Sequence, residues 1–278
     1  MTHGLGRISI ASEAVRAGRM AGRVGAAARR GAAILARDLA DEWLPWRCIL
    51  CERRGAAPSR SAGAALCHAC EAALPGRAVA RCACCAIALA PDARGRHGPA
   101  VCAGCIASPP AFDAAAVAFD YAPPTDRWVL AAKGAQPALG RPLGALVAEA
   151  ALRHATLPRP DLLAPIALSP RRLAERGFNQ ALEIARGAAR TLDAPLVPGL
   201  LARVREGADQ KSLDAASRRD NLAGAFMVAA PLAARVAGRV VGVVDDVMTT
   251  GATLDAAARV LKDAGAAAVV ALAAARTA

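Results

Sequence analysis

Aromatic residues make up only 3% of this 278-residue chain, and lysine occurs at just three positions, Lys133, Lys211 and Lys262. A core with so few rings has to be aliphatic, built from Leu, Val, Ile and Ala, and base stacking is a weak candidate for any binding mode. Long apolar runs are also missing. No stretch approaches the roughly 20 residues of a membrane span. The N-terminus carries no apolar segment of the secretory type, so a cytoplasmic location is expected. All nine cysteines fall between Cys48 and Cys105, and their chemistry is therefore confined to the first part of the chain.

What is abundant is alanine and arginine. Their joint excess has the look of a genomic bias, which discounts the formal charge of +12. Basic density is highest early: residues 1–47 hold 8 Arg against 4 acids, and residues 48–110 hold 7 against 3. That suits a polyanion such as nucleic acid and equally suits a solvated arginine surface. Residues 1–41 read as an Arg-rich lead-in, helical or disordered, whose glycines weaken the helix. An organelle transit peptide fits its composition, but Glu13, Asp38 and Asp41 argue against one.

Four C-x-x-C knuckles follow: Cys48/Cys51, Cys67/Cys70, Cys82/Cys85 and Cys102/Cys105. Two thiolates two residues apart can reach one ion from a tight turn, and two such knuckles complete a closed tetrahedral site. The spacing predicts two structural zinc ions, with sequential pairing as the simplest arrangement. A segment this poor in large apolar residues needs such a staple. Disulfides are disfavoured without an export signal, and redox C-x-x-C pairs usually occur singly. Cys84 is left over. Residues 42–108 are thus expected to form the metal module, and Pro109-Pro110 the linker to a domain over 111–278.

Beyond that linker, short apolar runs alternate with helical ones. Strands are expected at 114–121, 161–168, 238–246 and 266–275. Helices are expected at 138–154, with Leu139, Leu143, Leu146, Val147 and Leu152 on one side, at about 178–192, and from Thr253 to a stop at Gly265. This is an α/β pattern with a parallel sheet covered by flanking helices. The segment VVGVVDDVMTTGAT (240–253) is the most specific in the chain. An apolar strand delivers Asp245 and Asp246 to its carboxyl end, where such sheets bind ligands. Met248, Thr249, Thr250, Gly251, Ala252 and Thr253 then form a small-residue turn into a helix, suited to a phosphate. A solvated strand end with an ordinary helix cap would explain a D-D or a T-G-x-T alone, but not the whole run. No G-x-G-x-x-G supports a dinucleotide fold.

The run resembles the PRPP-binding signature of type I phosphoribosyltransferases. That resemblance implies that Asp245 and Asp246 hold the ribose hydroxyls, that residues 248–253 cradle the 5′-phosphate, and that magnesium accompanies the pyrophosphate. Arg172 and Arg176, with Gly177 as a turn exposing backbone N–H groups, are candidates for the pyrophosphate; an amphipathic helix with a solvated arginine face explains them as well. Residues 203–226 are polar and suggest either a mobile loop over the site or an exposed connection.

R-x-x-E-R-G-F-N-Q (172–180), Q-K-S-L (210–213), R-x-x-N (218–221) and D-D-V-M-T-T-G-A-T-L (245–254), behind four knuckles resembling a double zinc ribbon, together resemble the ComF family of competence-associated proteins. The resemblance covers about residues 42–278. Two departures stand out: A-P-I-A-L-S-P (164–170) replaces a P-V-P-L-H-P-like run, and Gly134 rather than an aromatic residue follows Lys133. The resemblance implies PRPP or ribose 5-phosphate as ligand. It also implies single-stranded DNA and other DNA-uptake proteins as partners, in natural transformation. The alternative is an active phosphoribosyltransferase of nucleotide salvage with a purely structural ribbon. No residue identifies an acceptor substrate.

Overall fold

The computed structural model describes residues 47–54, 59, 65–90, 99–134, 136–204 and 224–278. The lead-in over 1–41, the Q-K-S-L and R-x-x-N motifs and most of the 203–226 segment lie outside the described residues. The chain divides into two compact units, Met1–Arg47 with Arg53–Ala56, and Cys48–Glu52 with Ala57–Ala278. In the first, Arg47 and Arg54 form an isolated antiparallel bridge. Every element below belongs to the second.

The cysteine region is mostly turns, with two single-turn helices, α1 (His68–Ala72) and α2 (Ala103–Ala107). The larger domain then runs β1 (Ala114–Asp120), α3 (Thr125–Lys133), α4 (Gly140–Arg153), β2 (Leu162–Pro165), α5 (Pro170–Arg176) and α6 (Gln180–Leu192). It continues with β3 (Leu201–Arg203), β4 (Phe226–Val228), β5 (Val240–Met248), α7 (Ala252–Asp263) and β6 (Ala268–Arg276).

Four strands form one sheet in the order β1-β6-β5-β2, with every pairing parallel. The two central strands, VVGVVDDVM and AVVALAAAR, are almost continuously buried, as strands covered on both faces require. β3 and β4 pair antiparallel beside the sheet. They were not foreseen, being three residues each and set at the ends of a polar segment. α3 was also missed, because its helical pattern of Thr125, Trp128, Val129 and Ala132 is confined to nine residues directly after Pro123-Pro124.

The core is aliphatic, as the composition requires; its aromatic contribution includes Phe119 stacked on Trp128 at 6.1 Å. α4 and α6 pack on each other and against the sheet. Their approach depends on two glycines. A Cβ at Gly144 would stand 2.0 Å from the Ile184 carbonyl, and one at Gly187 the same distance from the Arg141 carbonyl. One expected core position is wrong: Leu152 is 46% exposed. At roughly 100° per residue it lies about 180° around the helix from buried Leu143.

Candidate functional site

β5 carries its two acids to the carboxyl edge of the sheet, and the surroundings make them unequal. Asp246 is only 6% exposed. Its charge is met from two other elements. Lys133 Nζ, at the last residue of α3, lies 3.0 Å from Oδ2. Gln180 Nε2, at the first residue of α6, donates to the same oxygen at 3.2 Å. Oδ1 accepts from the Val247 amide at 2.7 Å. Asp245 is half-buried and accepts from the Asp246 amide at 2.8 Å. Burial, and then the neighbouring Asp246 carboxylate, push Asp245 up to about 8, with Lys133 pulling the other way. One acid is thus a lysine-paired carboxylate, while the other keeps its proton near neutrality.

The turn after the strand is tight and leads straight into a helix N-terminus. Met248 is buried, whereas Thr249 and Thr250 are exposed. Gly251 caps α7 at φ +81. A side chain there would meet nothing closer than Phe112 at 3.7 Å, so within the protein it is the left-handed backbone that calls for glycine. Thr250 Oγ1 accepts from the Ala252 amide at 3.3 Å, closing the turn onto the helix, and Thr253 lies in the first helical turn. The residues of this turn and Asp245 line a hollow of about 20 Å³. Beneath it lies Arg276, 6% exposed, which donates to the Met248 and Thr249 carbonyls.

The arginine segment is a short helix, α5, capped by Ser169 Oγ, which accepts from the Arg172 amide at 3.4 Å. Arg171 pairs with Glu175 at 2.8 Å, and Arg176 is exposed. Gly177 does turn the chain, at φ +74, but its own N–H is taken by the Leu173 carbonyl at 2.8 Å, so that amide is not free for a ligand. Asn179 ties the segment to the end of β2: its Nδ2 donates to the Ile166 carbonyl at 2.9 Å, and its Oδ1 accepts from the Ala181 amide at 3.0 Å.

The knuckles come together in sequential pairs. Cys48, Cys51, Cys67 and Cys70 form one group and Cys82, Cys85, Cys102 and Cys105 the other, with the sulfurs of each group within 4.8 Å of one another. Cys51 and Cys67 Sγ are 3.9 Å apart, and Cys85 and Cys102 Sγ are 3.7 Å apart. None of these cysteines is in a disulfide. Each group could hold one metal ion, and all-thiolate sets of four suit zinc. Burial pushes Cys48 and Cys82 up, but backbone amides outweigh it and bring both down to about 7. Burial and neighbouring sulfurs drive Cys70 and Cys105 well above the usual thiol range. Four thiolates so close cannot all ionise unless a cation sits among them. Cys84 stands outside both groups, raised chiefly by burial.

Sequence reasoning missed Lys133, Gln180 and Arg276. The first two lie within or beside quoted motifs, but their convergence on Asp246 spans 113 and 66 positions and leaves no local pattern. Two arginines of the basic early region have structural duties. Arg77 pairs with buried Glu71, and Arg81 holds Asp120 at 2.7 Å together with the Gly76 and Ala86 carbonyls.

The family described as "Phosphoribosyl transferase domain" matches residues 179–277, which run from the Asn179 cap through β6. The chain is 34% identical over 178 residues to the "DNA utilization protein YhgH" of Escherichia coli K12, covering 62% of this chain and 76% of that one. It is 31% identical over 169 residues to the "Competence protein F" of Haemophilus influenzae, covering 59% of this chain and 73% of that one. The chain belongs to the ComF family. It is a competence-related protein with a phosphoribosyltransferase-type domain. Among solved structures, a glutamine PRPP amidotransferase of Bacillus subtilis matches 48% of the chain and 25% of its own at 20% identity and TM-score 0.32. A purine phosphoribosyltransferase of Pyrococcus horikoshii matches 55% and 82% at 17% identity and TM-score 0.28. At these scores the overlays add nothing to what the sheet order and the sequence relatives establish. Among the described residues, no helix is long and apolar enough to cross a membrane.

The state of Asp245 gives a stability test with a defined sign. Its folded value is about 8, against an ordinary 3.8. Between those values the folded chain keeps a proton that the unfolded chain releases, so stability falls as pH rises through that window and is level outside it. Asp245→Asn removes the effect. In urea melts the variant should gain on the wild type between pH 4 and 8, by on the order of 1 kcal/mol or more. A wild-type advantage that does not shrink with pH would show that the carboxyl is ionised throughout.

Proposed function

We propose that this ComF protein binds PRPP or ribose 5-phosphate at the carboxyl end of β5 and handles single-stranded DNA during DNA uptake, with two zinc ions holding its cysteine modules. The observation that carries the ligand reading is Asp245 followed directly by a glycine-capped turn that opens α7. The Asp245 carboxyl can accept from a ribose hydroxyl through its carbonyl oxygen while protonated and through both oxygens once ionised above about pH 8, and turn amides with a helix N-terminus meet a phosphate. Asp246, engaged by Lys133 and Gln180, supports the site from below. Magnesium would arrive with the pyrophosphate of PRPP. Calorimetric titration with PRPP and magnesium should show binding by the wild type. Above pH 8, where Asp245 is ionised, Asp245→Asn should weaken it at least roughly tenfold, since a charged hydrogen bond contributes about 1.5–3 kcal/mol. Gly251→Val, which forces a β-branched residue to a left-handed φ, should weaken PRPP and ribose 5-phosphate alike. A folded wild type that binds neither ligand would remove this reading. Turnover of PRPP with a base or amine would favour the salvage alternative.

For the metal, elemental analysis should give close to two zinc equivalents per chain. Cys48→Ser and Cys82→Ser should each cost one equivalent and unfold the affected module, because metal binding supplies most of its folding free energy. A metal-free protein with both modules folded would overturn the assignment.

DNA handling is supported by the names of the relatives and by the early basic density. Arg77 and Arg81 are occupied, so Arg53 and Arg54, both exposed, are the arginines to test. Reversing both charges should weaken single-stranded DNA binding and lower its salt slope by roughly 0.7 per lost phosphate contact. Absence of wild-type binding at low salt would end this half of the proposal.

A further inference from the structure

Arg276 is a buried cation without an anion. Among the described residues, no carboxylate forms an ion pair with its guanidinium. Its donors go to backbone oxygens instead. Nη1 donates to the Met248 carbonyl at 3.2 Å, to that of Thr249, and to that of Thr277 at 2.8 Å, while Nε donates to the Cys85 carbonyl at 3.3 Å. Taking a charge out of water is costly, and carbonyl dipoles offset only part of that cost. Full compensation calls for an anion nearby, and the turn directly above the guanidinium is where this protein offers amides to one.

The geometry of the peptide unit supplies the second step. In a trans peptide the C=O and N–H point in opposite directions. The Met248 carbonyl shares its unit with the Thr249 amide, and the Thr249 carbonyl shares its unit with the Thr250 amide. Both carbonyls face Arg276, so both amides face away from it. Among the described residues neither amide donates to a protein acceptor. The outward side of the turn therefore shows two free N–H groups beside the N-terminus of α7.

We propose that Arg276 is the positioning residue of the phosphate subsite: it fixes the Met248 and Thr249 carbonyls inward, which aims the Thr249 and Thr250 amides at a phosphomonoester, and it supplies a cation behind them. This rests on reading the turn as a ribose 5-phosphate site. It also links that site to the second cysteine module, since one guanidinium spans the turn and Cys85.

The test uses the full chain with its metal and ribose 5-phosphate as the probe. Arg276→Met removes donors and charge and should weaken binding at least roughly tenfold. Arg276→Lys keeps the charge but not the fork and should fall between Met and wild type. In amide NMR spectra of the wild type, Thr249 and Thr250 should shift on adding ribose 5-phosphate, and the shift should be lost in Arg276→Met, a response that a merely structural residue would not control. If Arg276→Met does not fold, Arg276→Lys decides alone: wild-type affinity with wild-type shifts overturns the proposal. If the wild type binds and a folded Arg276→Met binds equally, the role of Arg276 falls while the site stands. If the wild type binds no ribose 5-phosphate, the site reading falls and this proposal with it.

Discussion

A carboxylate at 6% exposure cannot stand at the end of a central strand without a cation beside it, and that requirement organises the carboxyl edge of this sheet. Asp246 draws Lys133 from the end of α3 and Gln180 from the start of α6, so the crossovers that follow β1 and β2 are both pinned to β5. Removing one partner of a buried pair costs about 3–5 kcal/mol. The figure is smaller here, because Lys133 keeps 27% of its side chain in water. The consequence for chemistry is a division of labour. Lys133 and Gln180 take up Asp246, which among the described residues leaves Asp245 as the acid without a cation in direct contact beside the turn.

How far this was legible in the sequence depends on the range of each signal. The central strands announced themselves because VVGVV and AVVALAAA are unbroken by any polar side chain, as strands covered on both faces are. The four knuckles were legible from their spacing, and sequential pairing, the simplest arrangement, is the one the structure has, each group closing over fewer than thirty residues. The turn at 248–253 was legible as a local run of small residues. The left-handed φ of Gly251 was not, since a glycine in a turn serves several backbone conformations. α3 was invisible because it is only nine residues long: its buried positions Thr125, Trp128, Val129 and Ala132 have helical spacing, but one of them is a threonine and the pattern spans only two turns. Arg276 was invisible for a different reason: in a chain so rich in arginine, one more at the end of an apolar strand looks like a solvated terminus. Only its bonds to the turn and to Cys85 show otherwise.

The second cysteine module is therefore part of the framework of the candidate ligand site, not an appendage to it. Arg81 leaves the module's first knuckle, binds the Ala86 carbonyl within the module, and reaches Asp120 at the end of β1. The Asp120 amide in turn donates to the Pro75 carbonyl at 2.8 Å, which covers part of an edge strand that would otherwise expose its backbone. Arg276 makes the reciprocal connection, from the end of β6 to the Cys85 carbonyl. Both arginines bind carbonyls of the tight backbone between Cys82 and Ala86. That backbone has almost no large apolar side chains to fix it, so its shape depends on what holds the sulfurs of Cys82, Cys85, Cys102 and Cys105 together. The Met248 carbonyl is held by the Thr277 amide at 3.1 Å as well as by Arg276, whereas the Thr249 carbonyl takes its bond from Arg276, so it is the Thr249 carbonyl that the guanidinium ties to the backbone of the sulfur cluster.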